Sequence, residues 1–156
     1  GLSYYDLIIA EEIAVVYVDV TQYGLGVTEV GAFWQGTFYN TIYINELMRT
    51  YAPEPAVAAL IAHEATHADY DYEPQKWIDL TLQQHPELTA SDVHAPGNSI
   101  DQEYNAFRSQ VSVWNETKGS YTDSNNEGWA HYYAQGESYM KSQIRQAYAD
   151  QTLPEY

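Results

Sequence analysis

The sequence has no cysteine and few basic residues. Among its 156 residues, 6 are lysine or arginine and 22 are aspartate or glutamate, which gives a formal net charge of −16. Without cysteine the chain can form neither disulfides nor a cysteine metal site, and it has no cysteine nucleophile. So few basic side chains cannot neutralise many phosphates, which argues against nucleic acid or an anionic membrane as a partner. No apolar run is long enough to span a bilayer, so we expect no membrane insertion.

The length favours a single domain, and we expect residues 1–156 to share one hydrophobic core. Aromatic residues are frequent, with 16 tyrosines. The chain opens with Gly1 and shows no signal peptide, so we expect that a leader has been removed. A composition poor in lysine and rich in tyrosine favours an exported protein. We therefore predict an extracellular or cell-envelope location, and the composition leaves the oligomeric state open.

Residues 63–67 read His-Glu-Ala-Thr-His inside a segment with helical character. Two residues four apart lie one turn apart on nearly the same face of a helix, so His63 and His67 can hold one metal ion between them. Glu64 lies beside that face and is not a ligand itself. Its carboxylate is therefore placed to take a proton from a water molecule that the metal acidifies.

A strand-like segment, Thr41 to Asn45, precedes this motif, and a strand followed by a His-Glu-x-x-His helix resembles the zincin metallopeptidases. The resemblance covers residues 37–70. It implies that zinc bound at His63 and His67 supports peptide hydrolysis, with Glu64 as general base and then as acid to the leaving amine. It also implies that the segment Thr41 to Asn45 is an edge strand that pairs with an extended substrate.

A catalytic zinc site usually has three protein ligands, and the best candidate for the third is Glu103. This residue falls within the apolar stripe of a predicted downstream helix, which consists of Ile100, Tyr104, Phe107, Val111 and Trp114. A carboxylate on a core-facing stripe is costly unless a metal or a cation pairs with it. The pattern Glu103-x-x-Ala106-Phe107 also resembles the gluzincin branch of the zincins, in which a downstream glutamate completes a His/His/Glu site.

Other interpretations stay open for Glu103 and for the third ligand. Glu103 could be neutralised in a buried ion pair, for which the candidates are Arg108, Arg49 and Lys76. Glu73 stands where the metzincin pattern has its last ligand, although Tyr70 replaces the glycine that this pattern needs for its turn. A loop further along the chain carries two more candidates, Asp92 and His94.

A peptidase also needs a donor that stabilises the oxyanion formed during hydrolysis. The gluzincin resemblance implies a tyrosine or histidine from a later segment, and Tyr132 and Tyr133 lie on the predicted core side of the last helix. Buried aromatic packing is the alternative role for both. Histidine ligands usually donate their second ring proton to a carboxylate or carbonyl, and the candidate carboxylates here are Asp69, Asp71 and Asp101.

The order of predicted elements indicates an α+β fold with a zincin-like arrangement. Residues 13–20 and the two arms of a hairpin, 32–36 and 37–45, predict a small and mostly antiparallel N-terminal sheet. The active-site helix should begin near Pro53 and end before Pro74. A helical C-terminal part follows, and we expect one long helix over 127–150.

These observations predict a zinc-dependent metallopeptidase that has Zn²⁺ as cofactor and a peptide or protein as substrate. The alternative from another class is a non-catalytic, zincin-like module that binds a protein partner and has a structural or vestigial metal site. Glu64 favours the enzyme, because a purely structural site does not need that carboxylate. The small size of the chain favours the module, because little of the chain is left to build a deep cleft.

Overall fold

A computed structural model of the protein describes residues 12–25, 31–36, 39–93 and 97–156. Within these ranges the strands are β1 (Ala14–Val18), β2 (Ala32–Gln35) and β3 (Thr41–Asn45). The α-helices are α1 (Leu47–Tyr51), α2 (Glu54–Tyr72), α3 (Pro74–Gln84), α4 (Ile100–Thr117), α5 (Ser124–Ala134) and α6 (Glu137–Ala147). The α+β class predicted from the sequence is therefore confirmed. None of these helices is both long and apolar enough to cross a membrane.

The sheet is mixed, so the prediction of a mostly antiparallel sheet is wrong. Its strand order is β1-β3-β2, in which β1 runs parallel to β3 and β2 runs antiparallel to it. The hairpin of β2 and β3 agrees with the sequence pattern. However, β1 pairs with β3, on the side opposite to β2. Strand β3 is consequently central and hydrogen-bonded on both sides. The prediction that Thr41–Asn45 is an edge strand is also wrong.

Helix α2 lies between the sheet and α4. It begins after Pro53 and ends at Tyr72, before Pro74, as predicted. On one side its alanines pack with Ile42 and Ile44 of β3, and on another side they pack with Trp114 of α4. The alanines in these contacts are Ala56, Ala59, Ala65 and Ala68, each 0% exposed. Because their side chains are short, both neighbouring layers can pack closely against α2.

The N-terminus of α4 is capped by Ser99. Ser99 Oγ accepts a hydrogen bond from the N–H of Gln102 at 3.1 Å. Further along α4, Phe107 packs in a buried cluster with Met140 and Ile144 of α6. The cap and this apolar contact position α4 beside α2, with its predicted stripe turned toward the interior.

The C-terminal segment contributes to the same helix start. The N–H groups of Ile100 and Asp101 donate to the carbonyl oxygens of Pro154 and Tyr156, at 2.9 and 3.0 Å. The first N–H groups of a helix have no partner within it and need one from elsewhere. The last residues of the chain therefore complete the first turn of the helix that carries Glu103.

The single helix expected over 127–150 is in fact two helices, α5 and α6. They are separated at Gly136, whose φ of 104° is incompatible with a continuing helix and favours glycine. The N–H of Gly136 donates to the carbonyl of Tyr133, which closes the turn at the end of α5. The periodicity of the side chains continued across this glycine, and for that reason the sequence pattern did not reveal the break.

Candidate metal centre

Two histidines of α2 lie close together on successive turns of the helix. The Nε2 atoms of His63 and His67 are 3.3 Å apart, as the four-residue spacing on a helix allows. The ring of His63 packs edge-on against Phe107 of α4, with 4.5 Å between centroids and 74° between planes. This contact and its low exposure of 5% fix the orientation of His63 toward α4.

Glu103 of α4 completes the cluster. Its Oε2 lies 3.4 Å from Nε2 of His63, and its Oε1 lies 3.3 Å from Nε2 of His67. One ligand atom from each of the three residues lies within 4.8 Å of the others. Glu103 is 2% exposed, so its carboxylate is almost fully removed from water. Two imidazole nitrogens and one carboxylate form one of the usual ligand sets of a catalytic zinc site.

No lysine or arginine neutralises Glu103 in the part of the chain that the structure describes. Arg49 and Arg108 lie against tyrosine rings, and Lys76 pairs with Asp69 at 3.0 Å. A buried carboxylate needs a positive partner to offset the loss of hydration. The arrangement therefore favours a metal ion, or protonated histidines in its absence, over an ion pair with a basic side chain.

The electrostatics of the cluster agree with a metal ion, or protonated histidines, as the partner of Glu103. Burial raises the pKa of Glu103, but the adjacent rings of His63 and His67 outweigh burial and lower that pKa overall. Burial lowers the pKa of His67, but its hydrogen bond to Glu103 and the nearby negative charge raise that pKa overall. Within the described ranges, Oε2 of Glu103 and Nδ1 of His63 lack a well-formed hydrogen bond. Such unsatisfied buried atoms are uncommon, and an ion bound to Oε2 would satisfy that oxygen.

Asn98 anchors the carboxylate from its other side. Its Nδ2 donates to Oε1 of Glu103 at 2.7 Å, and its own Oδ1 accepts from the N–H of Ser99 at 2.9 Å. The amide thus occupies one carboxylate oxygen and leaves Oε2 available for a ligand bond. Sequence reasoning did not identify Asn98, because an asparagine just ahead of a helix cap follows no periodic pattern.

A cavity of about 380 Å³ opens beside the cluster, and Glu64 lines it together with His63. Burial raises the pKa of Glu64, and the charges of His63 and His67 oppose that shift only in part. The backbone N–H of Trp34 on β2 donates to the Glu64 carboxylate. Glu64 therefore lies next to the two histidines, faces the cavity and is oriented by the edge strand of the sheet.

Tyr148 lines the same cavity and was not predicted from the sequence. It follows the last residue of α6. Burial raises the pKa of its hydroxyl, and the negative charges of Glu103 and Glu64 raise it further. This tyrosine comes into contact with the site only through the packing of α6 on α4. No motif or spacing around it distinguishes it from the other tyrosines.

The two tyrosines that the sequence suggested lie outside this cavity. Tyr132 packs edge-on against Trp129, with 5.4 Å between centroids, and lines a neighbouring cavity. Tyr133 is 38% exposed and lies near Arg108 on another side of α4. Neither residue lines the cavity of His63 and Glu64, to which α5 contributes Asn125 and Trp129 instead.

The other candidate ligands do not join the cluster. Glu73 lies at the junction of α2 and α3, 3.6 Å from Lys76. Asp92 accepts hydrogen bonds from the N–H and hydroxyl of Thr89 within its own loop. His94 lies outside the described residues.

The three aspartates considered as partners of the histidine ligands contact other residues. Within the described ranges Asp69 accepts from Lys76 and Trp77, Asp71 accepts from Trp34, and Asp101 pairs with His85 and Lys141. Among the three, Asp71 acts on the site through its charge, which contributes to the raised pKa of His67. Among the described residues, therefore, none of these aspartates accepts the expected hydrogen bond from His63 or His67.

Comparison of the chain with protein-family models, curated proteins and solved structures finds no match. The similarity to zincins consequently consists of the motif at residues 63–67, the strand before it and the downstream glutamate.

Proposed function

We propose that the protein is a zinc-dependent metallopeptidase in which His63, His67 and Glu103 hold the metal. The observation that carries this proposal is the convergence of these three side chains beside a cavity that Glu64 lines, with no basic side chain on Glu103. Bound zinc would supply Lewis acidity, which polarises a scissile carbonyl and lowers the pKa of a water molecule. The chain's own residues would then carry out the proton transfers.

Glu64 would act as general base and then as general acid. A carboxylate with a raised pKa can accept a proton from the attacking water and deliver it to the leaving nitrogen. Burial supports this role because it raises the pKa of Glu64, and the interaction with the Trp34 backbone opposes that rise only in part. A purely structural metal site would not need a carboxylate in this position.

Tyr148 would donate a hydrogen bond to the oxyanion that develops on the substrate carbonyl. Its raised pKa keeps the hydroxyl protonated near neutral pH, which a hydrogen-bond donor requires. We propose Tyr148 for this role in place of Tyr132 and Tyr133, because only Tyr148 of the three lines the cavity with Glu64.

Strand β2 would bind the backbone of an extended substrate. It is an edge of the described sheet, and Ala32 at its start lines the cavity. A peptide can pair with an edge strand through main-chain hydrogen bonds, which a central strand such as β3 cannot offer. The substrate-binding role expected for Thr41–Asn45 is therefore proposed for Ala32–Gln35.

The test compares the parent protein with Glu64→Gln, using fluorescein-labelled casein as substrate and mass spectrometry for bound zinc. We expect both proteins to bind about one zinc, and Glu64→Gln to lose hydrolysis by a factor on the order of 10² to 10⁴. Glu54→Gln, an exposed residue at the start of the same helix, is the matched control and should retain the parent rate. A zinc-loaded parent that hydrolyses no peptide would contradict the proposal and favour the non-catalytic module.

A further inference from the structure

A polar groove continues from the metal-site cavity between α5 and α6. It has a volume of about 440 Å³ and shares Asn125, Trp129 and Ala147 with that cavity. On the far side it is lined by Gln143 and Gln146 of α6. We call this surface the amide groove. Because its lining residues overlap with those of the cavity, a chain bound at the metal site could extend directly into it.

The amides of this groove have no hydrogen-bond partner among the described residues. In the part of the chain that the structure describes, the side chains of Asn125, Gln143 and Gln146 make no hydrogen bond to another residue. The buried amide of Gln110 differs, because it donates to Asn126 at 2.8 Å and is part of the protein core. Each free amide offers donors and an acceptor to a ligand. Three such groups side by side suit a ligand with many hydrogen-bonding groups.

The amide groove is also electrically neutral in a strongly acidic protein. No aspartate, glutamate, lysine or arginine lines it, although charged residues make up 18% of the chain and the net charge is −16. A charged side chain bound there would lose hydration without gaining an opposite charge. An acidic side chain would in addition be repelled by the overall field of the protein. The groove therefore favours uncharged ligands.

We propose that the amide groove binds the uncharged, polar part of a peptide substrate beyond the residues next to the scissile bond. The substrate class is then polypeptide segments rich in asparagine, glutamine, serine and threonine. This inference rests on the proposed peptidase function and adds the substrate preference. The side-chain amides would pair both with the substrate backbone and with its polar side chains.

The test uses a defined library of synthetic peptides of equal length, with cleavage sites identified by mass spectrometry. We expect the zinc-loaded parent to cleave peptides with Asn, Gln, Ser or Thr at the outer positions about tenfold faster than peptides with Asp or Glu there. In the double variant Gln143→Leu with Gln146→Leu this preference should fall about fivefold or more, since one hydrogen bond contributes about 1 kcal/mol. Cleavage of peptides with alanine at those positions should fall less than cleavage of the polar peptides, because an alanine peptide loses only the bonds to its backbone.

The matched control is the double variant Gln83→Leu with Gln84→Leu. Both glutamines are exposed on α3 and line neither cavity, so the parent preference should persist. A parent that cleaves peptides without regard to the outer positions, or a groove variant that keeps the full preference, would overturn the inference.

A binding measurement separates this inference from the proposed function. Zinc-loaded Glu64→Gln should bind a labelled Asn/Gln-rich peptide more tightly than its Asp/Glu counterpart in fluorescence anisotropy, and the groove variant should lose that difference. If the Asn/Gln-rich peptide binds more tightly but the parent hydrolyses no peptide, the groove is a peptide-binding surface and the proposed peptidase function is contradicted. Equal binding of both peptides, beside normal hydrolysis, would contradict the groove and retain the peptidase.

Discussion

The carboxylate of Glu103, a proposed metal ligand, is oriented by a hydrogen bond from Asn98. Because Asn98 donates to Oε1 at 2.7 Å, rotation of the carboxylate is restricted and Oε2 stays near His63. Groups that orient a metal ligand typically contribute 10- to 100-fold to metal affinity. At the scale of single residues, the strength of zinc binding should therefore depend on a side chain that does not touch the metal.

We expect Asn98→Ala to weaken zinc binding by about 10-fold or more, measured by competition with a chelating dye. Asn105→Ala is the control. Asn105 lies on α4, as Glu103 does, but its amide donates to the hydroxyl of Tyr70. Equal zinc affinities for parent and Asn98→Ala would show that the amide does not position the ligand.

Tyr148 should be important for turnover and unimportant for metal binding. Removal of an oxyanion donor typically lowers kcat by about 10² to 10³. We expect Tyr148→Phe to lower kcat on a peptide substrate by about 100-fold, with KM and zinc content nearly unchanged. Tyr132→Phe, in the neighbouring cavity, should stay within about twofold of the parent. A large loss of kcat in Tyr132→Phe, with normal turnover in Tyr148→Phe, would assign the oxyanion donor to Tyr132 instead.

Among secondary-structure elements, the break between α5 and α6 depends on one backbone conformation. Gly136 adopts φ of 104°, which a residue with a Cβ atom reaches only with strain. We expect Gly136→Ala to lower the free energy of unfolding by about 1 kcal/mol or more, seen as a fall of a few degrees in the thermal midpoint.

Gly128 provides the control for this substitution. It lies inside α5, and a Cβ atom there would meet no heavy atom within 4 Å. Gly128→Ala should therefore leave the thermal midpoint unchanged or raise it, because alanine is the better helix former. A Gly136→Ala protein as stable as the parent would indicate that α5 and α6 can join without cost.

The elements that the sequence predicted well are those with local signals. The spacing of His63 and His67 and the prolines around α2 each act over a few residues, and the structure agrees with them. The order of the strands depends on which edge of β3 each neighbour occupies, and the alternation within β3 carries no such information. The conformation of Gly136 is likewise invisible in a side-chain pattern that continues across it.

At the scale of the whole molecule, the proposed metal ligands come from two separate helices, so metal binding and stability should be linked. An ion that binds only the folded state adds about 4 kcal/mol to the free energy of unfolding at 1,000 times its Kd. We expect zinc to raise the thermal midpoint of the parent and a chelator to reverse the effect.

The variants Glu103→Ala and Glu73→Ala test which glutamate takes part in this linkage. Glu103→Ala should lose most of the zinc-induced shift in the thermal midpoint, because the ligand from α4 is missing. Glu73→Ala should keep it, because Glu73 lies at the start of α3 beside Lys76. A full zinc-induced shift in Glu103→Ala would remove Glu103 from the proposed ligands.

The components of the candidate site could be predicted from the sequence to different degrees. Glu103 could be identified because a carboxylate interrupts an otherwise apolar stripe, which is a local conflict that calls for a partner. Tyr148 could not, since it is one of 16 tyrosines and reaches the cavity only through the packing of distant helices. The amide groove was missed for a similar reason, because its residues lie on two helices that the sequence pattern joined into one.

The backbone bonds from Pro154 and Tyr156 to the start of α4 also bear on biosynthesis. A ribosome makes the chain from its N-terminus, and segments fold as their partners emerge. A nascent chain would present His63 and His67 early, while the helix that supplies Glu103 still lacks the carbonyl groups that complete its first turn. The proposed metal site would then be complete only after residue 156 has left the ribosome.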